Sequence, residues 1–392
     1  MRVKREILID KMSKVSSVAN YKDAKGIIRF DLLEENDETN IGFNLRIFAS
    51  DGINAVMTTM KVEGKEDRVG TYYIDSRKVT NYLKNLGAFE VDEIDIMLSD
   101  EKISILTGKT MFDFPIEVVE DYPVMPAMDL DSIEGEKYVV TCDSMTLHRK
   151  MMNTAKTIYP SYDKPILQYT NIICTQDGLD LVSSDGFRIT RMLMDAEVIN
   201  LKTKQPIPGE IVTNINSMVL ARLLTPISGV EVSIFITDDL IYVVDSESAI
   251  SLKTIKAEFP KVRDIIPKAD FKSNQVPFKT IWTIEGKEIN NSLSLLKAVV
   301  INEKNKRVKF NINSEGSFIE SDQSKDKGKI TIGGEVIGEG IDVNFDINKL
   351  DVLNNGIEKL RICFTEANKP VIIYDYSETK EFTNSFLIMP IL

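Results

Sequence analysis

The sequence predicts an α+β protein built from three copies of one domain, and two recurring landmarks carry that prediction. Ser50-Asp51-Gly52, Ser184-Asp185-Gly186 and Ser321-Asp322 each end an apolar stretch, at steps of 134 and 137 residues. Tyr122-Pro123 and Phe259-Pro260 lie 137 apart, each leading to a further proline (Pro126, Pro267), and Met389-Pro390-Ile391-Leu392 closes the third copy. Dividing 392 residues by three gives about 131, an ordinary domain size. The expected domains are 1–128, 129–268 and 269–392, with linkers near Pro126–Glu134 and Pro267–Gln275.

Each copy reads helix, strands, helix, strands. In the first helices Leu8, Met12, Val15 and Ala19 step by 4, 3 and 4, as do Ile289, Leu293, Leu296 and Val300, while Leu147, Met151, Ala155 and Ile158 step by 4, 4 and 3. Such spacing puts one apolar stripe on an amphipathic helix. The second helices are expected over Ser76–Leu86 (Val79, Leu83, Leu86), Asn214–Ile227 (Leu220, Leu224, Ile227) and Asp346–Leu360 (Leu350, Leu353, Ile357, Leu360). Asp75, Thr213 or Asn214, and Asp346 are the residue types that cap a helix N-terminus. Alternating strands follow: Ile94–Leu98 with Ile103–Leu106, Val230–Phe235 with Ile241–Val244, and Leu360–Phe364 with Val371–Tyr374. Ser99-Asp100, Thr237-Asp238-Asp239 and Glu366-Ala367-Asn368 supply the turns between them. The unit is two helices packed on antiparallel sheet.

The bulk composition, 43% hydrophobic and 28% charged, is that of a soluble globular chain. No run reaches the roughly 18 apolar residues of a membrane span. The start, Met1-Arg2-Val3-Lys4-Arg5, leads into an amphipathic segment, so no secretory signal is expected. Cys142, Cys174 and Cys363 are odd in number and widely spaced, as for buried thiols in a reducing cytoplasm. The single histidine, His148, excludes any site needing two, and a Ser-His-Asp triad would have to use it. A net charge of -12 argues against a protein that coats nucleic acid, unless basic residues are segregated.

Catalytic motifs are weak. Gly333-Gly334 and Gly338-Glu339-Gly340 lack the lysine of a phosphate-binding loop and its strand–helix context. Asp51, Asp185 and Asp322 occur once per copy, which a repeated turn explains better than a metal site. His148 beside Leu147 reads as a helix-surface residue. No cofactor or metal is expected. An enzyme of three repeats, using Asp185 or His148, is the competing class of reading.

Several segments together resemble the bacterial DNA polymerase III beta subunit, the sliding clamp. Ser183-Ser184-Asp185-Gly186-Phe187-Arg188-Ile189 is similar to that family's second-domain S/T-D-G-x-R-L segment. Phe259-Pro260-Lys261-Val262-Arg263-Asp264-Ile265-Ile266-Pro267 is similar to its F-P-x-x-x-x-hydrophobic-hydrophobic-P segment, and Ile388-Met389-Pro390-Ile391-Leu392 to its terminal V-M-P-hydrophobic tail. Asn302-Glu303-Lys304 after the third-copy helix also fits.

The resemblance implies the DNA clamp fold and a head-to-tail dimeric ring of six similar domains, helices toward the hole and sheet outside. It implies a non-enzymatic processivity factor in the cytoplasm, at the nucleoid. Its partners would be duplex DNA, a replicative polymerase, a clamp loader and other proteins carrying a short clamp-binding peptide. It also implies an apolar peptide cleft formed by Leu167, Ser184, Gly186, Phe187, Arg188, Ile189, Pro260, Ile265, Leu387, Ile388, Met389, Pro390, Ile391 and Leu392. The DNA-facing candidates are Lys11, Lys14, Lys22, Lys25, Arg149, Lys150, Lys156, Lys164 and Lys297, with Lys304 and Arg307 beyond them. Phe112 and Phe114 would pack on Val299 and Val300 of the partner. Two departures stand out: the family tail often ends near an arginine where Ile391 here meets Leu392, and Phe187 replaces a residue that is often polar. A peptide-binding repeat scaffold that does not encircle DNA is the alternative.

Overall fold

The computed structural model describes residues 1–21, 24–37, 40–63, 69–108, 110–124, 137–161, 163–224, 230–245, 247–262, 265–266, 278–300, 306–321, 327–354, 356–376 and 384–391. Both expected linkers and Asp322 lie outside the described residues. The chain forms two compact units. The first comprises Met1–His148, Glu197–Pro206 and Val219–Thr254, the second Arg149–Ala196, Ile207–Met218 and Ile255–Leu392. The division falls inside 129–268, so neither unit is a single expected domain. The helices are α1 (Arg5–Ser16), α2 (Ser76–Leu86), α3 (Ser144–Ala155), α4 (Ser217–Leu223) and α5 (Gly286–Val300).

In the first unit α1 packs on α2 and on the strands Asn40–Ser50 and Ala55–Val62. Leu8, Met12 and Val15 are buried, as their spacing requires, each contributing about 1.5–3 kcal/mol. Asp75 caps α2: its Oδ1 accepts from the Arg77 and Lys78 backbone N–H groups at 3.0 and 3.2 Å. A nine-stranded sheet runs Glu197–Asn200, Tyr138–Asp143, Glu231–Ile236, Leu240–Val244, Ser248–Lys253, Ala55–Val62, Asn40–Ser50, Ile27–Asp37, Gly70–Asp75.

The second unit repeats this arrangement strand for strand. Its nine-stranded sheet runs Glu335–Gly338, Thr280–Glu285, Lys359–Phe364, Val371–Asp375, Asn384–Ile388, Arg188–Met194, Gly178–Ser184, Thr170–Thr175, Ile211–Ile215. The central pairing corresponds: Ala55 lies opposite Ser251 in the first unit, and Ile189 opposite Leu387 in the second. In each, the last strand of one copy joins the strand that follows the Ser-Asp-Gly turn of the copy before.

Each unit also holds a four-stranded sheet, one matching the inner four of the five strands on one side of the central pairing and the other the four strands on its far side. One runs Arg2–Lys4, Glu93–Leu98, Lys102–Leu106, Met111–Pro115, and the other Gly328–Ile332, Ser317–Ser321, Arg307–Ile312, Ile341–Asp346. The strands Met111–Pro115 and Gly328–Ile332 hold the two positions that pair centrally in the nine-stranded sheets, but among the described residues each is a sheet edge.

The Ser76–Leu86 helix and the strand pairs form as expected, and so do the first helices, although α1 ends at Ser16 and α3 at Ala155, before Ala19 and Ile158. Two second helices are shorter than expected. Asn214 lies in the strand Ile211–Ile215, where its Nδ2 donates to the Ile255 and Ala257 carbonyls, so α4 starts only at Ser217. The third is a 3-10 helix, Ile347–Leu353, capped by Asp346 and followed by Asn354 and a left-handed Gly356, which frees Lys359–Phe364 to be a strand. Gly333 and Gly334 connect two strands, and the Trp282 indole donates to the Gly333 carbonyl at 3.0 Å. A Cβ on Gly334 would meet Trp282 Nε1 at 2.4 Å, so this glycine serves close packing. Cys142, Cys174 and Cys363 are free and buried, and burial pushes the Cys142 and Cys363 thiols up to about 12. Among the described residues no helix is long and apolar enough to cross a membrane.

Candidate functional site: an apolar cleft and a basic face

The Ser-Asp-Gly landmark folds as a self-contained turn, built twice in the same way. Ser184 Oγ accepts from Gly186 N at 3.1 Å and donates to the Arg188 carbonyl at 2.9 Å. Asp185 Oδ1 accepts from the Phe187 and Arg188 backbone N–H groups at 2.9 and 2.8 Å. Ser50 and Asp51 make the corresponding bonds to Gly52, Ile53 and Asn54. Gly52 and Gly186 both have φ of 87°, where a Cβ would be strained. Asp51 and Asp185 are therefore turn-forming residues. The copies diverge at the tip, where Ile53-Asn54 is replaced by Phe187-Arg188.

Arg188 anchors the second turn from beneath. Its Nε donates to Asp185 Oδ2 at 2.9 Å, Nη2 to the Lys156 carbonyl at 2.8 Å, and Nη1 to the Lys349 carbonyl and to Asp351 Oδ1. The Asp185 side chain is 2% exposed. Burial opposes its ionisation, but Arg188, the two backbone N–H groups and Lys349 outweigh that and hold its carboxyl below the usual carboxylate range. Arg188 is thus a buried support, which places Phe187 outward.

The walls come from several elements of the second unit. Leu167, Val182, Ile189, Phe259, Ile266, Ile281 and Leu387 belong to one buried apolar cluster, with Tyr159, Ile166, Val262 and Phe278 packed on it. The strand Asn384–Ile388 sets Ile388 opposite Arg188 and Leu387 opposite Ile189, and Met389 N donates to the Phe187 carbonyl at 2.9 Å. Ser184 and Ile388 are buried, Gly186, Phe187, Pro260, Ile265 and Met389 exposed, Pro390 and Ile391 half-buried, and Leu392 lies outside the described residues. Exposed apolar groups over an apolar floor suit the anchors of a short extended peptide. Tyr159, Phe259, Val262, Ile266 and Phe278 share the cluster with Leu167, Ile189 and Leu387 but were not among the expected cleft residues, although Phe259-Pro260 was itself a landmark.

The basic candidates divide. Lys25, Arg149, Lys164 and Lys297 are exposed, and Arg307 is half-buried. Lys22 and Lys304 lie outside the described residues. Lys11 and Lys14 are corrected: Lys11 is buried and its Nζ donates to Glu247 Oε2 at 2.8 Å, while Lys14 donates to Ser248 Oγ at 2.6 Å. Burial holds the Lys14 ammonium below the ordinary lysine value, against the pull of Asp245. Lys150, the equivalent of Lys11 in α3, is likewise buried and donates to Asn384 Oδ1 at 2.9 Å. Lys156 is half-buried, donates to Asn153 Oδ1 and the Asn354 carbonyl, and is lowered by burial. Lys11, Lys14 and Lys150 thus fasten helices to hairpins within their units. The outward face of α1 instead shows Glu6 and Asp10, whereas α2 exposes Arg77, Lys78 and Lys84. Those three flank the stripe Val79, Leu83 and Leu86, and that spacing puts them on the exposed side of the helix.

Of the interface candidates, Phe112 is 53% exposed. Its ring and that of Phe114 lie 4.7 and 5.5 Å from Tyr82. Val299 is at the edge of exposure. Val300 is corrected: it is fully buried as the last residue of the α5 stripe. Leu295, 64% exposed on the same helix, was not among the candidates.

Burial lowers the His148 pKa. As the chain's one imidazole, it is expected to give a single NMR titration with a midpoint below about 6.5. A neutral buried imidazole resists protonation in the folded state, so it contributes a loss of stability as pH falls through the ordinary histidine range. A midpoint at or above that value would contradict the half-buried placement.

No family model matches the chain. A beta sliding clamp of Synechocystis sp. is 22% identical over 288 residues, covering 69% of this chain and 68% of that protein. The crystal structure of DNA polymerase III subunit beta from Pseudomonas aeruginosa superposes with a TM-score of 0.73 at 17% identity, covering 100% of this chain and 99% of that one. The sliding clamp of that organism bound to griselimycin gives 0.76 at 17%, with the same coverage. The Thermotoga maritima beta subunit gives 0.75 at 18%, covering 100% and 98%.

Proposed function

We propose that this chain, which has the fold of the bacterial sliding clamps, is itself one: a non-enzymatic processivity factor that closes around duplex DNA and tethers a polymerase. The observation that carries the reading is the pair of open half-sheets. The chain makes the same inter-copy sheet twice and holds the two halves of a third, ending in the edges Met111–Pro115 and Gly328–Ile332. Two chains joined head to tail complete that sheet twice. A heterologous contact whose rotation closes makes a ring, with neither of these two edges left unpaired.

The internal register supports one particular contact. Gly328 stands opposite Ser321 as Ala55 stands opposite Ser50 and Ile189 opposite Ser184. Phe112 lies opposite Ile105 in its hairpin as Ile250 lies opposite Val243. Carrying the Ile250–Val56 pairing across, Phe112 of one chain lies opposite Lys329 of the other, and Asp113 opposite Gly328. Leu295 holds the place in α5 that Lys14 holds in α1. Thr110 and Thr107 hold the places of Ser248 and Asp245, so the seam between chains exchanges a charged clamp for apolar contact.

The exposed apolar groups over a buried apolar cluster support reading the cleft as the tether for short peptides, and a relative of this fold has been crystallised bound to griselimycin. Loose retention on DNA needs only a few phosphate contacts, which Arg77, Lys78, Lys84, Arg149 and Lys297 can supply without slowing sliding. Tethering raises the polymerase's effective concentration at the DNA. The site of action is then the cytoplasm, at the nucleoid. The test is native mass by sedimentation at micromolar concentration, then retention on circular DNA with a clamp loader and ATP. The expected result is twice 44.3 kDa, and protein that stays on circles but leaves when they are cut. A mass of one chain at every concentration would remove the ring and leave a peptide-binding scaffold.

A further inference from the structure

We infer that Glu117–Val124, the segment after the last strand of the first copy, is a docking surface for a partner protein's peptide segment in which apolar side chains stand between lysines or arginines. The surface lies wholly in the first unit and shares no residue with the second-copy cleft.

The segment offers apolar side chains to solvent from a fixed backbone. Ile116 N donates to the Glu101 carbonyl at 2.9 Å, and Glu117 N to the Tyr73 carbonyl at 2.9 Å, which ties the chain to an edge strand of the nine-stranded sheet. Tyr122 is buried with Phe48 and Ala55, and Val119 packs on the same cluster. The Tyr122 hydroxyl donates to the Ile27 carbonyl at 2.7 Å, and its ring lies 5.2 Å from that of Tyr73. Between these anchors Val118 is 94% exposed, and Val124 beyond them is 69% exposed. Ile53, 60% exposed, is at the tip of the turn that Phe48 and Ala55 flank. Apolar groups held outward on a fixed backbone can be covered by a ligand at little cost in ordering.

The second copy makes the same connection in another way. There Ile255 N donates to the Asn214 carbonyl as Glu117 N does to that of Tyr73, and Phe259 takes the place of Tyr122. Lys256, Ala257 and Glu258 separate those anchors, whereas Val118, Val119, Glu120 and Asp121 separate them in the first copy, so the first copy is one residue longer. Asp121 has φ of 53°, a left-handed conformation that a residue with a side chain keeps only where its surroundings impose it.

Charge decides what covers the valines. Glu120 and Asp121 are exposed and Glu117 is half-buried, and among the described residues none of the three side chains has a hydrogen bond or ion pair. Glu117–Val124 contains no lysine or arginine, while the matching stretch of the second copy carries Lys256 and Lys261 against Glu258. Of the neighbouring bases, Arg29 is matched by Asp31 at 3.0 Å and Lys102 by Asp113 at 2.5 Å, which leaves Lys25 and Lys253 exposed, with Glu101 exposed against them. The first-copy surface therefore favours a cationic ligand, its ammonium or guanidinium groups meeting the acids and its apolar side chains covering Val118 and Val124.

The experiment measures fluorescence anisotropy at low salt with a fluorescein-labelled nonapeptide carrying Lys and Leu in a Gly-Ser background. Two control peptides replace each Lys by Glu or each Leu by Ser. Wild-type protein is expected to bind the Lys-Leu peptide about ten-fold tighter than either control. Val118→Ser is expected to weaken it about five-fold, and Glu117→Gln/Glu120→Gln/Asp121→Asn about ten-fold; asparagine tolerates the left-handed backbone. Glu315→Gln/Glu335→Gln/Glu366→Gln removes the same charge from exposed positions of the second unit and is expected to change binding by less than about two-fold. Phe187→Ser, which alters the second-copy cleft, is expected to leave it equally unchanged. Equal weakening by the two triple variants would mean non-specific attraction to an acidic protein, and a loss in Phe187→Ser would place the peptide in the other cleft; either overturns the inference. So would full binding to Val118→Ser, or a wild-type protein that does not prefer the Lys-Leu peptide. Val118→Ser should also sediment with the wild-type mass, and a lowered mass would mean that a second copy covers this surface instead.

Discussion

Arg188→Met is expected to destabilise the second unit by about 3–5 kcal/mol, the cost of breaking a buried ion pair from one side. Methionine keeps the apolar stem, so the loss reports charge and hydrogen bonding. The substitution leaves Asp185 almost fully buried, with only the Phe187 and Arg188 backbone N–H groups and Lys349 to hold it. Urea unfolding of the two proteins measures the difference, and a loss below about 1 kcal/mol would mean the network is a surface feature. Adding Asp185→Asn removes the stranded charge and should recover part of the loss. The acid response follows in sign. A carboxyl held low in the folded state stabilises it above the unfolded value, and that contribution is lost as pH falls through the lower folded value. Without Arg188 the carboxyl titrates higher, so acid unfolding of the variant should begin at a higher pH. Peptide binding should fall as well, because Phe187 loses its support.

The second large effect is expected from Leu295→Asp, with Phe112→Asp as its counterpart on the other surface. Both side chains are more than half exposed, so neither change should unfold a single chain. In the proposed dimer Leu295 meets the opposing hairpin, where an aspartate would be buried among threonines, and Phe112 meets the opposing strand, where the aromatic anchor is lost although Lys329 lies across from the new carboxylate. A central apolar anchor is worth about 2–4 kcal/mol, which weakens the dimer roughly 30- to 1000-fold. Sedimentation over a dilution series reads the shift directly. A dimer as strong as wild type in both variants would mean that these surfaces do not meet.

The sequence made the repeats legible because their signals are local. Ser50-Asp51-Gly52 and Ser184-Asp185-Gly186 fold the same turn from contacts within five residues, and the helix stripes follow from spacing alone. The shortened second helices were hidden because Asn214 and Lys359–Phe364 are claimed by sheet partners far along the chain. The lysines misled for the same reason. Lys11 and Lys150 look like a solvated helix face, yet each meets a polar partner, Glu247 or Asn384, more than two hundred positions away. Arg188 was recognisable as part of the cleft motif, but its role under the turn depends on Asp351 and the Lys349 carbonyl.

The strand Ala55–Val62 meets one neighbour, Asn40–Ser50, through a local hairpin, whereas Ser248–Lys253 completes it from the far end of the next copy. Arg188–Met194 waits in the same way for Asn384–Ile388. On a ribosome adding about 5–20 residues per second, each of these edges stays bare for on the order of ten to forty seconds. During that interval a half-built sheet offers the same unpaired backbone that invites aggregation, and its closure depends on slow, long-range pairing. A fragment cut at a repeat boundary would carry that vulnerability permanently, so the copies that look modular in the sequence are not interchangeable modules in biogenesis.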